Sequence, residues 1–307
     1  MRGTVIQSTG SFYDVLINGG EIISCRIKGK FRLDDKKQTN PIAVGDEVEV
    51  VNDEKISYVI DTIYPRKNYI VRTDPHKKEF KHIIASNIDQ TVVIASMILP
   101  GTSYGFIDRI LLTSEVYGIP GVVVFNKHDL YRERENNYLM EFLVAYNDAG
   151  YYAFSTSVVL GENIDQFKNI LKGKNSLLIG HSGVGKSSLV NAIEPQLQLR
   201  VKEVSKYSEK GQHTTTFARM HPLSFGGAIV DTPGIKEFGL LDISEYEVGH
   251  YFPEIRALMN DCRFNNCLHI NEKDCAVLAA LEAGTLATTR YMSYVNFYEE
   301  IKSGKKW

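Results

Sequence analysis

Gly180-His181-Ser182-Gly183-Val184-Gly185-Lys186-Ser187 has the GxxxxGK[ST] spacing, which wraps backbone N–H groups around phosphate. Gly180, Gly183 and Gly185 let the chain curl so that successive N–H groups point inward, and a helix N-terminus just beyond adds partial positive charge. Lys186 is expected to neutralise the β and γ phosphates of a nucleotide, in binding and in catalysis. The Ser187 hydroxyl would ligate Mg2+, and Ser188 opens the following helix. The alternative is a glycine-rich turn that binds nothing. Against it, the apolar run 176–179 before the motif and Ser188, Leu189 and Val190 after it supply the strand, loop and helix that the motif requires.

The base reader is Asn126-Lys127-His128-Asp129, after the apolar run 121–125. The Asp129 carboxylate can accept two parallel hydrogen bonds from N1–H and N2–H of guanine; adenine offers neither and would leave that charge unpaired. Asn126 is expected to tie this loop to the phosphate loop, and Lys127 to lay its alkyl stem over the purine. Ser155-Thr156-Ser157 reads as the second base loop, offering N–H groups to guanine O6.

Asp231-Thr232-Pro233-Gly234 has the DxxG form: Asp231 would hold Mg2+ through water, and the Gly234 N–H would sense the γ phosphate. Between the phosphate loop and DxxG lies a polar stretch, 198–212, leading into His213-Thr214-Thr215-Thr216. It reads as a switch loop in which Thr215, or its neighbour Thr214, completes the Mg2+ shell while the γ phosphate is present. The position just after DxxG, where Ras-like enzymes carry a water-orienting glutamine, is Ile235, whose side chain cannot hydrogen-bond. His213 is therefore the candidate for positioning the attacking water, against the plainer reading of a surface histidine on a loop.

These motifs stand in an unusual order. Asn126 precedes Gly180 by more than fifty residues, the reverse of ordinary P-loop GTPases. A nucleotide site needs neighbours in space, so the reversed order predicts a circular permutation that cuts the domain between DxxG and NKxD. A permuted chain leaves Asp231 to Gly234 just before the C-terminal region. That region holds Cys262, Cys267, His269 and Cys275, three thiols and an imidazole in the number and spacing of a closed tetrahedral zinc site. Such a site is structural and would pin helices, from Ala276 onward, too small to bury a core alone. Nucleotide state could thereby pass along a short path to the C-terminal module. The competing view is three buried free cysteines and a chance histidine.

The elements that must position these residues follow from texture. From about residue 82, apolar runs at 91–96, 122–125, 176–179 and 228–230 alternate with helical stretches, as in a parallel α/β sheet, and each motif falls at the carboxyl end of one run. Before residue 68, five β-rich runs separated by Gly, Asn and Asp turns predict a small closed barrel of OB type, a fold that presents a face to oligonucleotides. Arg26, Lys28, Lys30 and Arg32 recur with a period of two, so one strand face would carry four cations able to track a phosphate backbone. A solvated sheet face would show the same alternation. The stretch 65–81, with Arg66, Lys67, Arg72, Lys77, Lys78 and Lys81, reads as a basic linker.

With 307 residues, 43% hydrophobic and 23% charged, the chain suits several packed domains, and a net charge of -2 excludes a polycation. No apolar stretch reaches the roughly 20 residues of a membrane span, and the start lacks a signal-peptide core, so a cytoplasmic protein without membrane association is expected. Four cysteines, three of them clustered, point to metal rather than disulfides.

The order of NKxD, Ser-x-Ser, GHSGVGKSS, HTTT and DTPG, the OB-like start and the Cys/His spacing together resemble the RsgA (YjeQ/YloQ) family of circularly permuted GTPases over nearly the whole chain. The chain thus reads as a monomer made of an OB-type barrel (1–68), a circularly permuted α/β GTPase domain (69–245) and a zinc-binding helical region (246–307). The resemblance implies a GTPase that acts late in maturation of the 30S ribosomal subunit, binds 16S rRNA and is stimulated by the subunit. The family's switch reads Gly-Arg-His-Thr-Thr-Thr; this chain keeps Gly211 and His213 to Thr216 but carries uncharged Gln212 at the arginine. The catalytic histidine carries over to His213. A different class of function stays open: an RNA-binding scaffold that holds guanine nucleotide with little turnover.

Overall fold

The computed structural model describes residues 1–10, 12–28, 41–53, 57–73, 81–201, 218–231 and 243–304. Two compact units divide the chain: Met1–Thr91 with Asp165–Ile179 and Val190–Glu237, and Val92–Ile164 with Gly180–Leu189 and Phe238–Trp307.

The first unit begins with five strands, β1 (Arg2–Ser8), β2 (Tyr13–Ile17), β3 (Ile22–Ile27), β4 (Glu47–Asp53) and β5 (Ser57–Ile63). They pair in the order β1-β2-β3-β5-β4, and β4 returns to β1 through Arg2↔Glu49 and Gly3↔Val48, so the sheet closes. The β3–β5 pair is parallel and the rest are antiparallel, the connectivity of an OB-type barrel. The sequence dictates this by alternation: every second side chain points inward, and Val5, Val15, Cys25, Val48, Val50 and Ile60 are fully buried in one core. Gly3 is required where β1 and β2 approach, because a Cβ there would lie 2.7 Å from the Leu16 carbonyl oxygen.

The stretch read as a basic linker instead contains an antiparallel hairpin, β6 (Tyr69–Thr73) and β7 (Lys81–Ser86). Arg66 donates to Asp46 at 2.7 Å through both Nε and Nη2, and Ser86 Oγ donates to the same carboxylate at 2.6 Å. Asp46 is fully buried, so one acid ties the barrel to the hairpin and neutralises a cation read as part of a basic linker. Farther on, α3 (Ile164–Leu171), β11 (Asn175–Ile179), β12 (Arg219–Pro222) and β13 (Ala228–Asp231) extend this unit. β11 runs parallel to β13, β13 antiparallel to β12, and β12 meets the barrel at Gln7↔Arg219.

The second unit contains most of β8 (Gln90–Ala95), then α1 (Tyr104–Val116), β9 (Gly121–Phe125), α2 (Glu133–Asp148) and β10 (Tyr152–Ser155). β9 and β10 pair in parallel, and β8 is buried along its whole length, as an apolar run in a covered sheet must be. α1 starts at Ser103, whose hydroxyl accepts from the Phe106 N–H, and α4 (Lys186–Ile193) opens directly out of the phosphate loop. The C-terminal region adds α5 (Pro253–Leu258), α6 (Ala276–Glu282) and α7 (Thr288–Ser303) around Val248, Phe252, Ile255, Val277, Tyr294 and Phe297. α7 stops at Gly304, which adopts the left-handed cap that ends many helices.

Candidate nucleotide and metal sites

Each expected motif that the structure describes sits at the carboxyl end of a strand. Gly180 follows the last residue of β11, Asn126 that of β9 and Thr156 that of β10, while Asp231 closes β13 opposite Leu178. Gly183 and Gly185 lie at φ +88° and +97°, in the left-handed region, and give the loop its curl. Gly180 passes so close to β8 that a Cβ would stand 2.2 Å from the Ile94 carbonyl oxygen. Val184 is fully buried, Ser182 is exposed, and Ser187 and Ser188 are half-buried. Lys186 Nζ donates to the carbonyls of Gly180 (2.6 Å) and His181 (2.9 Å), which holds the ammonium over the loop. The His181 ring stacks on Phe106 of α1 with centroids 3.9 Å apart.

Asn126 joins the three motifs of this unit. Its Nδ2 donates to the Val184 carbonyl at 2.9 Å, its Oδ1 accepts from Thr156 Oγ1 at 3.1 Å, and its carbonyl accepts from the Tyr131 hydroxyl. Only 2% of Asn126 is exposed, so these partners are what makes its burial tolerable. The reversed chain order is thus undone in space: the loop after β9 and the loop after β11 touch.

The base loops are equally interlocked. Ser157 Oγ donates to Asp129 Oδ1 at 2.6 Å, and the His128 N–H donates to the Thr156 carbonyl at 3.1 Å. Lys127 stands at φ +69° and donates through Nζ to the Leu99 carbonyl; burial draws its ammonium pKa down, against the pull of Asp129. Ser155 ends β10 with its carbonyl held by Asn163 Nδ2 at 2.8 Å. The role of Ser157 as the partner of Asp129 was not legible beforehand; the only hint was a second hydroxyl in the Ser-x-Ser run.

His213, Thr215 and Gly234, three of the expected catalytic, magnesium and γ-phosphate residues, lie outside the described residues, as do Lys30 and Arg32. Arg26 falls on the outward side of β3, as a period of two requires, and Lys28 lies just past the strand's end. Arg26 lies 4.8 Å over the ring of half-exposed Phe12, and Lys28 pairs with Asp61, so one of these two cations is already neutralised.

Cys262, Cys267, His269 and Cys275 converge, with their ligand atoms all within 4.8 Å of one another. Cys262 and Cys275 sulfurs stand 3.9 Å apart, and His269 Nδ1 lies 3.5 Å from Cys262 Sγ and 3.4 Å from Cys275 Sγ. Tetrahedral zinc, with Zn–S of about 2.3 Å, sets such edges at roughly 3.7 Å. The donor set fits a closed structural site. Burial, reinforced by Cys275 and Cys262, pushes the Cys267 thiol up to about 12, and burial also raises Cys275. Two crowded thiols that resist ionisation, Cys267 and Cys275, call for a cation to deprotonate them. The ligand loop is backed by Glu272, which accepts from the N–H groups of Leu268 (2.8 Å), Ile270 (2.9 Å) and Asn271 (3.1 Å). Burial alone would raise Glu272; these donors outweigh it and hold the carboxylate below its usual range.

A buried charge cluster that sequence reasoning did not find joins α1 to α7. Arg290 donates to Asp108 (2.6 Å) and to Glu254 (2.6 and 3.2 Å), and Ser293 donates to Asp108. Asp108 is fully buried and Arg290 is 2% exposed. Burial works against the Arg290 charge, but Asp108 and Glu254 more than compensate and hold its pKa above the ordinary arginine value. The sequence signal was weak, since Asp108 and Arg290 stand on helices that carry several other charges.

The RsgA GTPase family model matches residues 63–241, and the model of the RsgA N-terminal domain matches residues 2–59. A "Small ribosomal subunit biogenesis GTPase RsgA" from Bacteroides fragilis (strain YCH46) is 44% identical over 305 residues, 99% of this chain and 98% of that one. One of the same name from Flavobacterium johnsoniae is 47% identical over 302 residues, 97% of this chain and 93% of that one. Among solved structures, YjeQ from Thermotoga maritima superposes with a TM-score of 0.81 at 37% identity, covering 99% of both chains. YloQ, a circularly permuted GTPase, does so at 0.76 and 29% identity, over 100% of this chain and 96% of that one.

Proposed function

The chain belongs to the RsgA GTPase family, and on that premise we propose that it hydrolyses GTP to GDP and phosphate as a late maturation factor of the 30S ribosomal subunit. In this reading it binds 16S rRNA and is stimulated by the subunit. The observation that carries the nucleotide half is Asn126, which holds the base-reading and phosphate loops together through Val184 and Thr156. The subunit half rests on the names of relatives that match the chain nearly end to end.

Asp129, oriented by Ser157, recognises the guanine edge, and Lys186 and the loop N–H groups hold the phosphates. Ser187, Thr215 and, through water, Asp231 would hold Mg2+, whose chemistry would be to neutralise phosphate charge. His213 positions the attacking water, since Ile235 cannot, and Gly234 senses the γ phosphate. Zn2+ in the Cys262, Cys267, His269, Cys275 set would cross-link the C-terminal helices. Arg26, with Lys28, Lys30 and Arg32, offers the barrel's RNA-facing cations. The functional divisions are 1–68, 69–245 and 246–307, in a cytoplasmic monomer that does not enter membranes. Among the described residues no helix is long and apolar enough to span one.

The test is GTP turnover with and without purified 30S particles. Stimulation by the particles is expected; its absence favours the guanine-nucleotide-binding RNA scaffold with little turnover. Asp129→Asn should weaken GDP binding on the order of a hundredfold and favour xanthine nucleotides, because the amide presents a donor where guanine N1 needs an acceptor. Unchanged guanine preference would remove Asp129 from the site.

A further inference from the structure

We propose that Glu162 is a positioning residue for guanine recognition, acting through His128 to hold the Asp129 turn in register with the base loop. The inference rests on the guanine-nucleotide reading above and deepens it. Glu162 Oε2 lies 2.8 Å from His128 Nδ1. The same residue is joined to Ser157 by two backbone bonds: the Glu162 N–H donates to the Ser157 carbonyl at 2.9 Å, and the Ser157 N–H donates back at 3.2 Å. Ser157 in turn holds Asp129 through its hydroxyl at 2.6 Å. Glu162 therefore grips both sides of the base site at once, the variable residue of Asn126-Lys127-His128-Asp129 by its side chain and the serine partner of Asp129 by its backbone.

A second observation says why such a grip is needed. Lys127 adopts φ +69°, a strained conformation for a non-glycine residue that persists only where neighbours over-determine it. The residue that follows supplies those constraints: the His128 N–H is held by the Thr156 carbonyl at 3.1 Å, and its ring by Glu162. The segment between Ser157 and Glu162 is a turn whose tip, Val159 and Leu160, is strongly exposed and is tied to the neck by the Leu160 N–H, which donates to Ser157 Oγ at 3.1 Å. The neck is closed by the Ser157–Glu162 bridge and by Asn163 Nδ2 on the Ser155 carbonyl. Removing the Glu162 carboxylate frees His128 on one side while leaving Asp129, Ser157 and the phosphate loop chemically intact.

The readout is discrimination between guanine and hypoxanthine. Hypoxanthine keeps N1–H but lacks the exocyclic amine, so a well-placed carboxylate binds GDP more tightly than IDP, and a loosened one loses the bond that is more demanding in geometry. Calorimetric titration of the full chain with GDP and with IDP should show E162A weakening GDP by about tenfold, the size of one net hydrogen bond, and IDP by much less. The GDP/IDP ratio should recover in E162Q, whose amide oxygen still accepts from His128 Nδ1–H. H128A should mimic E162A, and H128A/E162A should be no worse than either alone. A general loss of folding would lower both affinities together and leave the ratio alone; thermal unfolding run in parallel reports it, and H128A reads the same pair if E162A does not fold. A GDP/IDP ratio unchanged in both E162A and H128A, or additive effects in the double variant, overturns the proposal. A wild-type chain that shows no preference for GDP over IDP overturns the guanine reading itself, and this proposal with it.

Discussion

Asn126 and Gly185 share one constraint: the asparagine can bridge to the phosphate loop only because residue 185 has no side chain. A Cβ on Gly185 would lie 2.2 Å from Asn126 Nδ2, and the backbone there sits at φ +97°. Gly185→Ala therefore strains the loop by about 1 to 3 kcal/mol and displaces the amide that bonds Val184, and GDP affinity should fall between tenfold and a hundredfold. Calorimetric titration checks this, and wild-type affinity in Gly185→Ala would mean that Asn126 does not support the loop. Both residues were legible in the sequence because their spacing is set by local geometry at a strand end. Ser157 and Glu162 were not, because their pairing depends on how the turn 158–161 closes, which is a matter of backbone bonds rather than residue type. Arg66, read as part of a basic linker, and Lys28, read as one of four cations for RNA, proved to be paired because Asp46 and Asp61, distant in sequence, come close in the fold.

At the scale of elements, α1 and α7 are joined by charge as well as by apolar packing. Arg290 reaches Asp108 and Glu254 from inside a nest of aromatic rings, with Phe252 at 4.7 Å and Tyr151 at 5.3 Å. Arg290→Met leaves the fully buried Asp108 and the partly buried Glu254 without their cation, a change that typically costs about 3 to 5 kcal/mol. Denaturant unfolding should show that loss, and it should be smaller in Arg290→Met/Asp108→Asn, where one of the orphaned charges is also removed. The metal loop gives a prediction in pH. With the Cys267 thiol up near 12 in the absence of metal, and Cys275 also raised, these thiols are protonated at neutral pH and must release protons when zinc binds. His269 is drawn down by burial, which favours the neutral ring that a metal needs. Zinc affinity should accordingly rise with pH, about tenfold per unit for each thiol proton displaced, and competition against a chelator between pH 6 and 8 measures it. A flat profile would mean that the thiols are already ionised before metal arrives. Cys267→Ser should lose zinc and destabilise the region around α5 to α7, whose core includes Cys275 itself.

For the whole molecule, the sequence carried the barrel, the strand-end motifs and the permutation, because each follows from alternation or spacing over short ranges. It did not carry the β6–β7 hairpin, which a run of cations disguised, nor the link between α1 and α7, whose partners lie 182 residues apart. That link bears on how nucleotide state could reach the C-terminal region. The permuted order gives one route along the chain, from Asp231 through a stretch outside the described residues. Packing gives a second, within a single unit. His181 of the phosphate loop stacks on Phe106; two residues on, Asp108 takes Arg290, and Arg109 pairs with Glu300 near the end of α7. α7 then supports the metal loop, since the Tyr291 hydroxyl donates to the His269 carbonyl at 2.9 Å and that of Tyr294 donates to the Leu268 carbonyl. A contiguous chain of contacts carries coupling only if its elements shift between two arrangements, so the expectation needs a measurement that sees both ends. Hydrogen exchange over 246–304 should differ between the GDP-bound chain and the chain with a non-hydrolysable GTP analogue. Phe106→Ala should shrink that difference if packing transmits it and leave it whole if the covalent route does. An identical profile in the two nucleotide states would argue against both routes, and would leave the C-terminal region a fixed support for α1 rather than a receiver of the nucleotide's state.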